Sequence, residues 1–353
     1  MKNKKVNVGI NGLGRIGRAI FHNLIENPLI NITAINEANN NIENICYTLN
    51  YDSTYGLRNP IYKPIKNHIF NHKNGETIRL FNQDNVQDVA WSDYKINILI
   101  DSSGLKVNEK HLKNNNLRNI YKIQTNSDND NSKHLIHGVN ENSFHKMKDF
   151  NLSSSICDSV AISPILMILK KFKILSGSIT TVHPLLNYQN PLDSKSASWS
   201  NPGSIYGHFE LGRGFINNII PKPTSALTAV SKVFGYNIEK KISCFSYRVP
   251  TTIVGSADLT INLQNRLNKK DFLNEVIKLN SKYEKDIIKI SDDKLTSLDF
   301  MKNENCCVLD TRWLNIKNCK NHSILKAILW YDNEWGYSKK VSDLVNYIAN
   351  LIK

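Results

Sequence analysis

"VGINGLGRIGR", residues 8–18, leads from a short β-rich stretch, "KVNVGI" (5–10), into a segment with Ile16, Ile20, Leu24 and Ile25 at helical spacing. Within it Gly12, Gly14 and Gly17 spell G-x-G-x-x-G. A glycine triplet alone says little, but between a strand and a helix it predicts a dinucleotide-binding turn. The first glycine permits the tight turn, the second lets a pyrophosphate approach the backbone, and the third allows close helix–strand packing. The helix N-terminus then offers N–H groups and partial positive charge to the phosphates. "INITAINE" (30–37) reads as the next strand and ends on Glu37, 20 residues after Gly17. A carboxylate there accepts hydrogen bonds from a ribose diol and repels a 2′-phosphate, which favours NAD over NADP.

Outward from this turn the pattern continues. "INILIDSSG" (96–104) is a near-continuous apolar run, as in a buried parallel strand, and "NIYKIQT" (119–125) looks like another. The N-terminal third is therefore expected to be an α/β Rossmann domain. After Cys157, "AISPILMILKKFKI" has helical periodicity. From about 176 onward the character changes. "GSITTVHPL", "KKISCFSYRVP" and "GSADLTINL" alternate like strands of an antiparallel sheet with one solvated face. A Gly-, Ser- and Asn-rich loop spans roughly 185–212. Residues 269–286 read as an amphipathic helix, and the chain ends in a helix with Val341, Leu344, Val345, Ile348 and Leu351 on one face.

The 353 residues are 41% hydrophobic and 22% charged, ordinary globular composition with length for about two domains. No stretch reaches the roughly 18 apolar residues of a membrane span. The start, "MKNKKVNVGING", lacks the apolar core of a secretory signal, so a cytoplasmic location is expected. The net charge of +14 is mostly lysine spread along the chain, and it comes without a recognisable nucleic-acid motif. A solvated basic surface is the reading, with nucleic acid and membrane not expected as partners. The six cysteines (46, 157, 244, 306, 307 and 319) include no CxxC pair, so free thiols and no metal site are expected.

One cysteine stands apart. "SSSICDSVAISP" (153–164) puts Cys157 in a polar stretch directly before Asp158. A reactive thiol needs a base. "SITTVHPL" supplies His183 at the end of a strand, 26 residues after Cys157.

With these residues in view the chain resembles phosphorylating glyceraldehyde-3-phosphate dehydrogenases and their relatives, the erythrose-4-phosphate dehydrogenases. The resemblance covers essentially the whole chain. It rests on "VGINGLGRIGR", "AINE" (34–37), "YDSTYG" (51–56), "DSSG" (101–104), "HGVN" (137–140), "TTVH" (180–183), "NIIP" (218–221), "YRVPT" (247–251) and "WYDNEWGYS" (330–338), in the family's order. "INE" and "YDSTYG" lean toward the erythrose-phosphate branch. The resemblance implies a Rossmann domain at 1–157, completed by the C-terminal helix 333–353, and an α+β catalytic domain with a mostly antiparallel sheet at 158–332. It implies Cys157 as nucleophile and His183 as base. Asn11, Gly12, Gly14, Arg15, Ile16, Gly17, Glu37, Ser103, Thr125, Asn333 and Tyr337 would hold NAD, and Arg248 and Thr224 the substrate's phosphate. A homotetramer and a thiohemiacetal-to-thioester mechanism are implied too.

The departures gather in the phosphate half of the site. The family writes a serine before the nucleophile and threonines after it; here stand Ile156, Asp158 and Ser159, followed by Val160 and Ala161. Two threonines expected after the histidine are Leu186 and Tyr188. Lys222 is a new cation, Leu211 falls where an arginine is expected, and Arg213 is close enough to substitute. Isoleucine cannot bind attacking phosphate, and aspartate repels it. Asp158 is read either as a helix N-cap or as a group contacting substrate or water. Three functions are weighed: the triose-phosphate enzyme with unusual phosphate contacts, a paralogue taking another aldehyde or releasing its thioester by water, and a non-catalytic NAD- or nucleic-acid-binding protein.

Overall fold

The structure is a computed structural model that describes residues 5–38, 41–57, 61–113, 117–127, 131–198 and 200–353. The basic start at 1–4 and Trp199 of the long loop lie outside them. The chain divides into two compact units. One comprises Met1–Leu135, Asn142–Ser154 and Val341–Lys353, the other Ile136–Glu141 and Ser155–Lys340.

The first unit is built on a sheet with Val6–Asn11 at its centre. Among the described residues its order is Lys133–His134, Asn151–Ser153, Tyr121–Gln124, Ile98–Asp101, Val6–Asn11, Ile30–Asn36, Thr77–Phe81, His68–Asn71 and Tyr62–Ile65. Ile30–Asn36 and Ile98–Asp101 flank the central strand, both parallel to it. The chain therefore builds first to one side of Val6–Asn11 and later to the other. Such a reversal opens a crevice at the strands' carboxyl ends, and ligands bind there in α/β sheets. The glycine turn follows Asn11 at that end. Both Ile98–Asp101 and the middle of Val6–Asn11 are fully buried, which is why the former reads as an unbroken apolar run.

The second unit holds a seven-stranded sheet among the described residues. Its order is Ile220–Pro223, Ile242–Val249, Ile174–Pro184, Gly255–Leu263, Ser323–Tyr331, Cys307–Asn318 and Ile288–Ser291. It is mostly antiparallel, as expected, with two parallel pairs, one of them Ile288–Ser291 beside Cys307–Asn318. The strands bearing "SITTVHP" and "SYRV" run parallel. The connection between them, 185–241, includes the long loop and the helix Ala226–Phe234, ample for the crossover a parallel pair requires. The helix expected over 269–286 spans Lys269–Asn280. It stops there because the Asn280 side chain turns to the following strand, accepting from the Ile287 and Ile288 N–H groups and donating to the Ile288 carbonyl. Among the described residues no helix is long and apolar enough to cross a membrane. All six cysteines are free.

Candidate active site

The glycine turn answers to three separate constraints. Gly12 has φ +92°, and a Cβ there would lie 2.7 Å from the Ser103 backbone. A Cβ on Gly17 would sit 2.0 Å from the Gly12 carbonyl oxygen, so packing forbids any side chain. Gly14 differs: nothing lies within 4 Å of its would-be Cβ, its φ is an ordinary −61°, and it is the N-cap of helix Arg15–Leu24 with no side-chain cap. Neither packing nor backbone strain in the protein requires glycine at 14. A phosphate-bearing ligand laid against the helix start does.

Beneath the turn lies a buried polar network that the sequence reading left out. Asn11 Nδ2 donates to Asp101 Oδ1 (2.8 Å), Asn36 Nδ2 to Asn11 Oδ1 (2.8 Å), and Ser103 Oγ to Asp101 Oδ1 (2.8 Å). Burial raises the Asp101 carboxyl above its usual range, against these bonds. Glu37 follows strand Ile30–Asn36 directly, and its Oε2 accepts from the Leu13 N–H at 2.6 Å, so the acid sits at the glycine turn. Thr125 hydrogen-bonds the Asp101 carbonyl through its N–H and its hydroxyl. Arg15 turns to the "YDSTYG" segment: Nη1 is 3.7 Å from Asp52 Oδ2, Nη2 donates to Thr54 Oγ1 (3.1 Å), and the guanidinium lies over the Tyr55 ring. Ile16 is half-buried in the first turn of the helix.

In the second unit Cys157 opens helix Cys157–Lys170. Its Sγ lies 3.4 Å from His183 Nε2 and 3.5 Å from Asp158 Oδ1. His183 Nδ1 is 2.8 Å from the Pro184 carbonyl oxygen. A carbonyl only accepts, so in the neutral ring Nδ1 carries the proton and Nε2 presents a lone pair to the thiol.

Strand register explains the grouping. His183 and Ile220 both register with Arg248. One row over, Thr181 and Lys222 both register with Ser246. Side chains two apart share a face, so Thr181, His183, Arg248 and Lys222 project from one side of the sheet. Gly255 registers with Tyr331, and a Cβ at 255 would lie 2.7 Å from the Tyr331 ring. This glycine makes room for the ring.

Asp158 is not the helix cap, and the capping expectation is corrected here. Ile156 is the N-cap, held by Ser159 Oγ, which accepts from the Ile156 N–H at 3.2 Å. The Asp158 carboxylate turns inward instead. It accepts from Tyr331 Oη (2.8 Å) and Thr181 Oγ1 (3.3 Å), and Oδ1 stands 3.8 Å from His183 Nε2. Burial opposes its charge, yet His183, Arg248, the Tyr331 hydroxyl and Lys222 together hold it below the ordinary carboxylate range. Burial, then Arg248 and Lys222, push His183 down to about 3, while Asp158 and the Pro184 carbonyl pull the other way. Burial and Asp158 raise the Cys157 thiol, and Arg248 opposes them. These directions favour a neutral thiol and a neutral imidazole beside an ionised carboxylate.

Arg248 is buried, donates Nη1 to the Pro184 carbonyl (3.2 Å), and leaves Nε unpartnered among the described residues. Burial raises the Tyr188 hydroxyl and the charge of Arg248 opposes it, so one of the departing residues feels this cation. Burial and Arg248 lower the half-buried Lys222 amine. Thr224 Oγ1 accepts from the Ala226 N–H at the start of helix Ala226–Phe234. Arg213 is not brought to the cluster; it is exposed, and its Nε donates to Asp193 Oδ2 at 2.9 Å. Asn333 Oδ1 accepts from the N–H of Val254, a β-branched residue at φ +70°. Tyr337 Oη donates to the carbonyl of Ser155, at φ +63°. Both residues of "WYDNEWGYS" therefore pin backbone in a region that L-residues rarely adopt.

Against this geometry, residues 156–333 match the family model for glyceraldehyde 3-phosphate dehydrogenase, C-terminal domain, and residues 6–109 that for its NAD binding domain. The chain belongs to the glyceraldehyde-3-phosphate dehydrogenase family. It is 32% identical over 351 residues to glyceraldehyde-3-phosphate dehydrogenase of Phytophthora infestans, covering 98% of this chain and 99% of that one. Similarity to glyceraldehyde-3-phosphate dehydrogenase 4 of Caenorhabditis elegans is 29%, and to the Podospora anserina protein 31%, each over 350 residues and 98% of both chains. The cofactor is NAD, and the open face over Gly14 with Glu37 at its rim fits it. The protein is an NAD-dependent oxidoreductase of this family; a non-catalytic binding role is not favoured.

Proposed function

We propose that the protein oxidises glyceraldehyde 3-phosphate with NAD, that Cys157 is the nucleophile and His183 its base, and that inorganic phosphate releases the acyl group. One observation carries this reading: Cys157 Sγ lies 3.4 Å from the lone-pair nitrogen of a histidine whose other nitrogen is committed to a main-chain carbonyl.

The thiol proton passes to His183 Nε2 as sulfur bonds to the aldehyde carbon, giving a thiohemiacetal. The Cys157 N–H at the helix start stabilises the developing oxyanion. His183 gives that proton to the oxyanion, completing the thiohemiacetal hydroxyl, and takes it back as the carbonyl re-forms, leaving a thioester on Cys157. When bound, NAD supplies the two-electron acceptor that takes the hydride. Arg248 and Lys222 offer adjacent cations for the substrate's phosphate, and the unpartnered Arg248 Nε supports that role. Thr224 lies on the strand–helix turn just after Lys222 and is assigned with them. The resemblance assigns Ser103, Thr125, Asn333 and Tyr337 to the cofactor and a homotetramer to the assembly; light scattering tests the latter.

The deciding assay is NADH formation from NAD and glyceraldehyde 3-phosphate, with and without inorganic phosphate, with Cys157→Ser as blank and erythrose 4-phosphate in parallel. Phosphate-dependent turnover of the triose supports the proposal. Turnover indifferent to phosphate, or seen only with the tetrose, overturns it.

A further inference from the structure

We infer that Cys157, His183 and Asp158 form a binding site for a thiophilic dication of the zinc class, and that occupancy switches the enzyme off by sequestering the thiol. One ligand atom from each of the three lies within 4.8 Å of the other two. The separations are 3.4 Å for Sγ to Nε2, 3.5 Å for Sγ to Oδ1 and 3.8 Å for Oδ1 to Nε2. A tetrahedral zinc ion, with bonds of about 2.3 Å to sulfur and 2.0–2.1 Å to nitrogen and oxygen, has ligand–ligand edges of roughly 3.4–3.6 Å. The three atoms already stand near the corners of one such face.

The surroundings fit a metal site as well. His183 Nε2 presents its lone pair because Nδ1 is committed to the Pro184 carbonyl, the outer-shell bond that metal-bound histidines make. Thr181 donates to the far oxygen Oδ2 of Asp158 and Tyr331 to Oδ1 itself, so both oxygens are held in place and Oδ1 offers the metal its remaining lone pair. Thiolate, imidazole and carboxylate together select zinc or cobalt over magnesium or calcium. Three protein ligands leave the fourth position to a water ligand, as in zinc sites that are not closed. On binding, a metal–sulfur bond forms, the S–H bond breaks and one proton leaves to solvent; no electrons move. Arg248 and Lys222 oppose a dication, so the site is weaker than a closed four-ligand one and acts as reversible control rather than as a structural centre. The third ligand comes from the residue that sets this chain apart: where the family writes threonine, Asp158 supplies a charged oxygen.

Loss of activity rests on Cys157 being the nucleophile, as proposed above; metal binding does not. The test titrates the purified full chain with cobalt(II) and follows the near-ultraviolet thiolate charge-transfer band and the visible bands of four-coordinate cobalt. Zinc is then scored by displacement, and NADH formation is assayed on the same samples before and after chelation with EDTA. The expected result is one cobalt per chain, a near-ultraviolet band absent in Cys157→Ser, affinity weakened about tenfold or more in Asp158→Asn and in His183→Ala, and inhibition by zinc that EDTA reverses. A band that persists in Cys157→Ser places the metal on other thiols and overturns the inference. So does wild-type affinity in Asp158→Asn, and, should that variant fail to fold, wild-type affinity in His183→Ala. The cobalt bands with undiminished turnover would uphold the site and overturn the nucleophile assignment instead.

Discussion

The hydroxyl of Tyr331 lies 2.8 Å from Oδ1 of Asp158, across 173 residues of chain. It ties the last strand of the catalytic sheet to the first turn of the Cys157 helix, at a carboxylate that is itself buried. Tyr331→Phe removes one of the side-chain donors to that charge, beside Thr181 and the Cys157 thiol. It is expected to destabilise the chain by about 1–3 kcal/mol, the usual consequence of leaving a buried polar group short of a partner. Urea unfolding of the two proteins, compared by midpoint at equal slope, checks this; an unchanged midpoint would show the bond contributes nothing.

Gly14→Ala and Gly17→Ala should part company. The first places a methyl in open space at ordinary φ, so the melting temperature stays put while NAD affinity falls at least about tenfold, roughly 1.4 kcal/mol. The second drives a methyl into the Gly12 carbonyl and should cost at least about 3 kcal/mol of stability. Thermal melts beside NAD titration by fluorescence quenching separate the two; a Gly14 variant that binds NAD normally would remove the cradle.

Arg248→Met tests the phosphate assignment. Loss of a charged donor worth about 1.5–3 kcal/mol should raise KM for glyceraldehyde 3-phosphate roughly ten- to hundredfold. KM for unphosphorylated glyceraldehyde should move far less. Lys222→Met should shift KM in the same sense by a smaller factor, since Lys222 is only partly buried while Arg248 is buried. Equal effects on both aldehydes would place the cations elsewhere in the reaction.

Lys122 gives a pH signature outside the site. It is buried in strand Tyr121–Gln124, donates Nζ to the Leu117 carbonyl at 2.9 Å, and burial lowers it from 10.5 to about 8. Between those values the unfolded chain binds the extra proton. Stability therefore rises as pH climbs from 8 toward 10.5. The rise attributable to this amine should be about 1–2 kcal/mol once partial solvation is allowed for, and Lys122→Met should flatten that part of the curve. Unfolding free energies at pH 7.5, 9 and 10 decide it.

The glycine turn, the parallel strands around it and the Cys157–His183 pair were legible because local chemistry dictates them. Only glycine fits at 12 and 17, and a reactive thiol needs a base. Asp158 was half-legible. Its sequence position allowed a cap, and nothing nearby announced that Tyr331 would claim it. Thr181 could have been found, since it precedes His183 by two in a strand and shares its face. Arg213 misled because nearness to an expected position along a loop does not determine direction; Asp193 pulls it outward. The polar network under the turn was hidden for a related reason: Asn36 and Asp101 end separate strands and meet at Asn11 only through sheet order.

The Pro184 carbonyl that fixes the His183 tautomer belongs to the main chain, and every amino acid has that group. Substitution at 184 can shift the oxygen but cannot delete it. In the proposed mechanism, the direction in which the proton moves between sulfur and nitrogen is thus set by the path of a strand and shielded from point mutation. Substitutions around the pair, at Ile156, Asp158, Leu186 or Tyr188, leave that carbonyl in place and with it the nitrogen that faces the thiol.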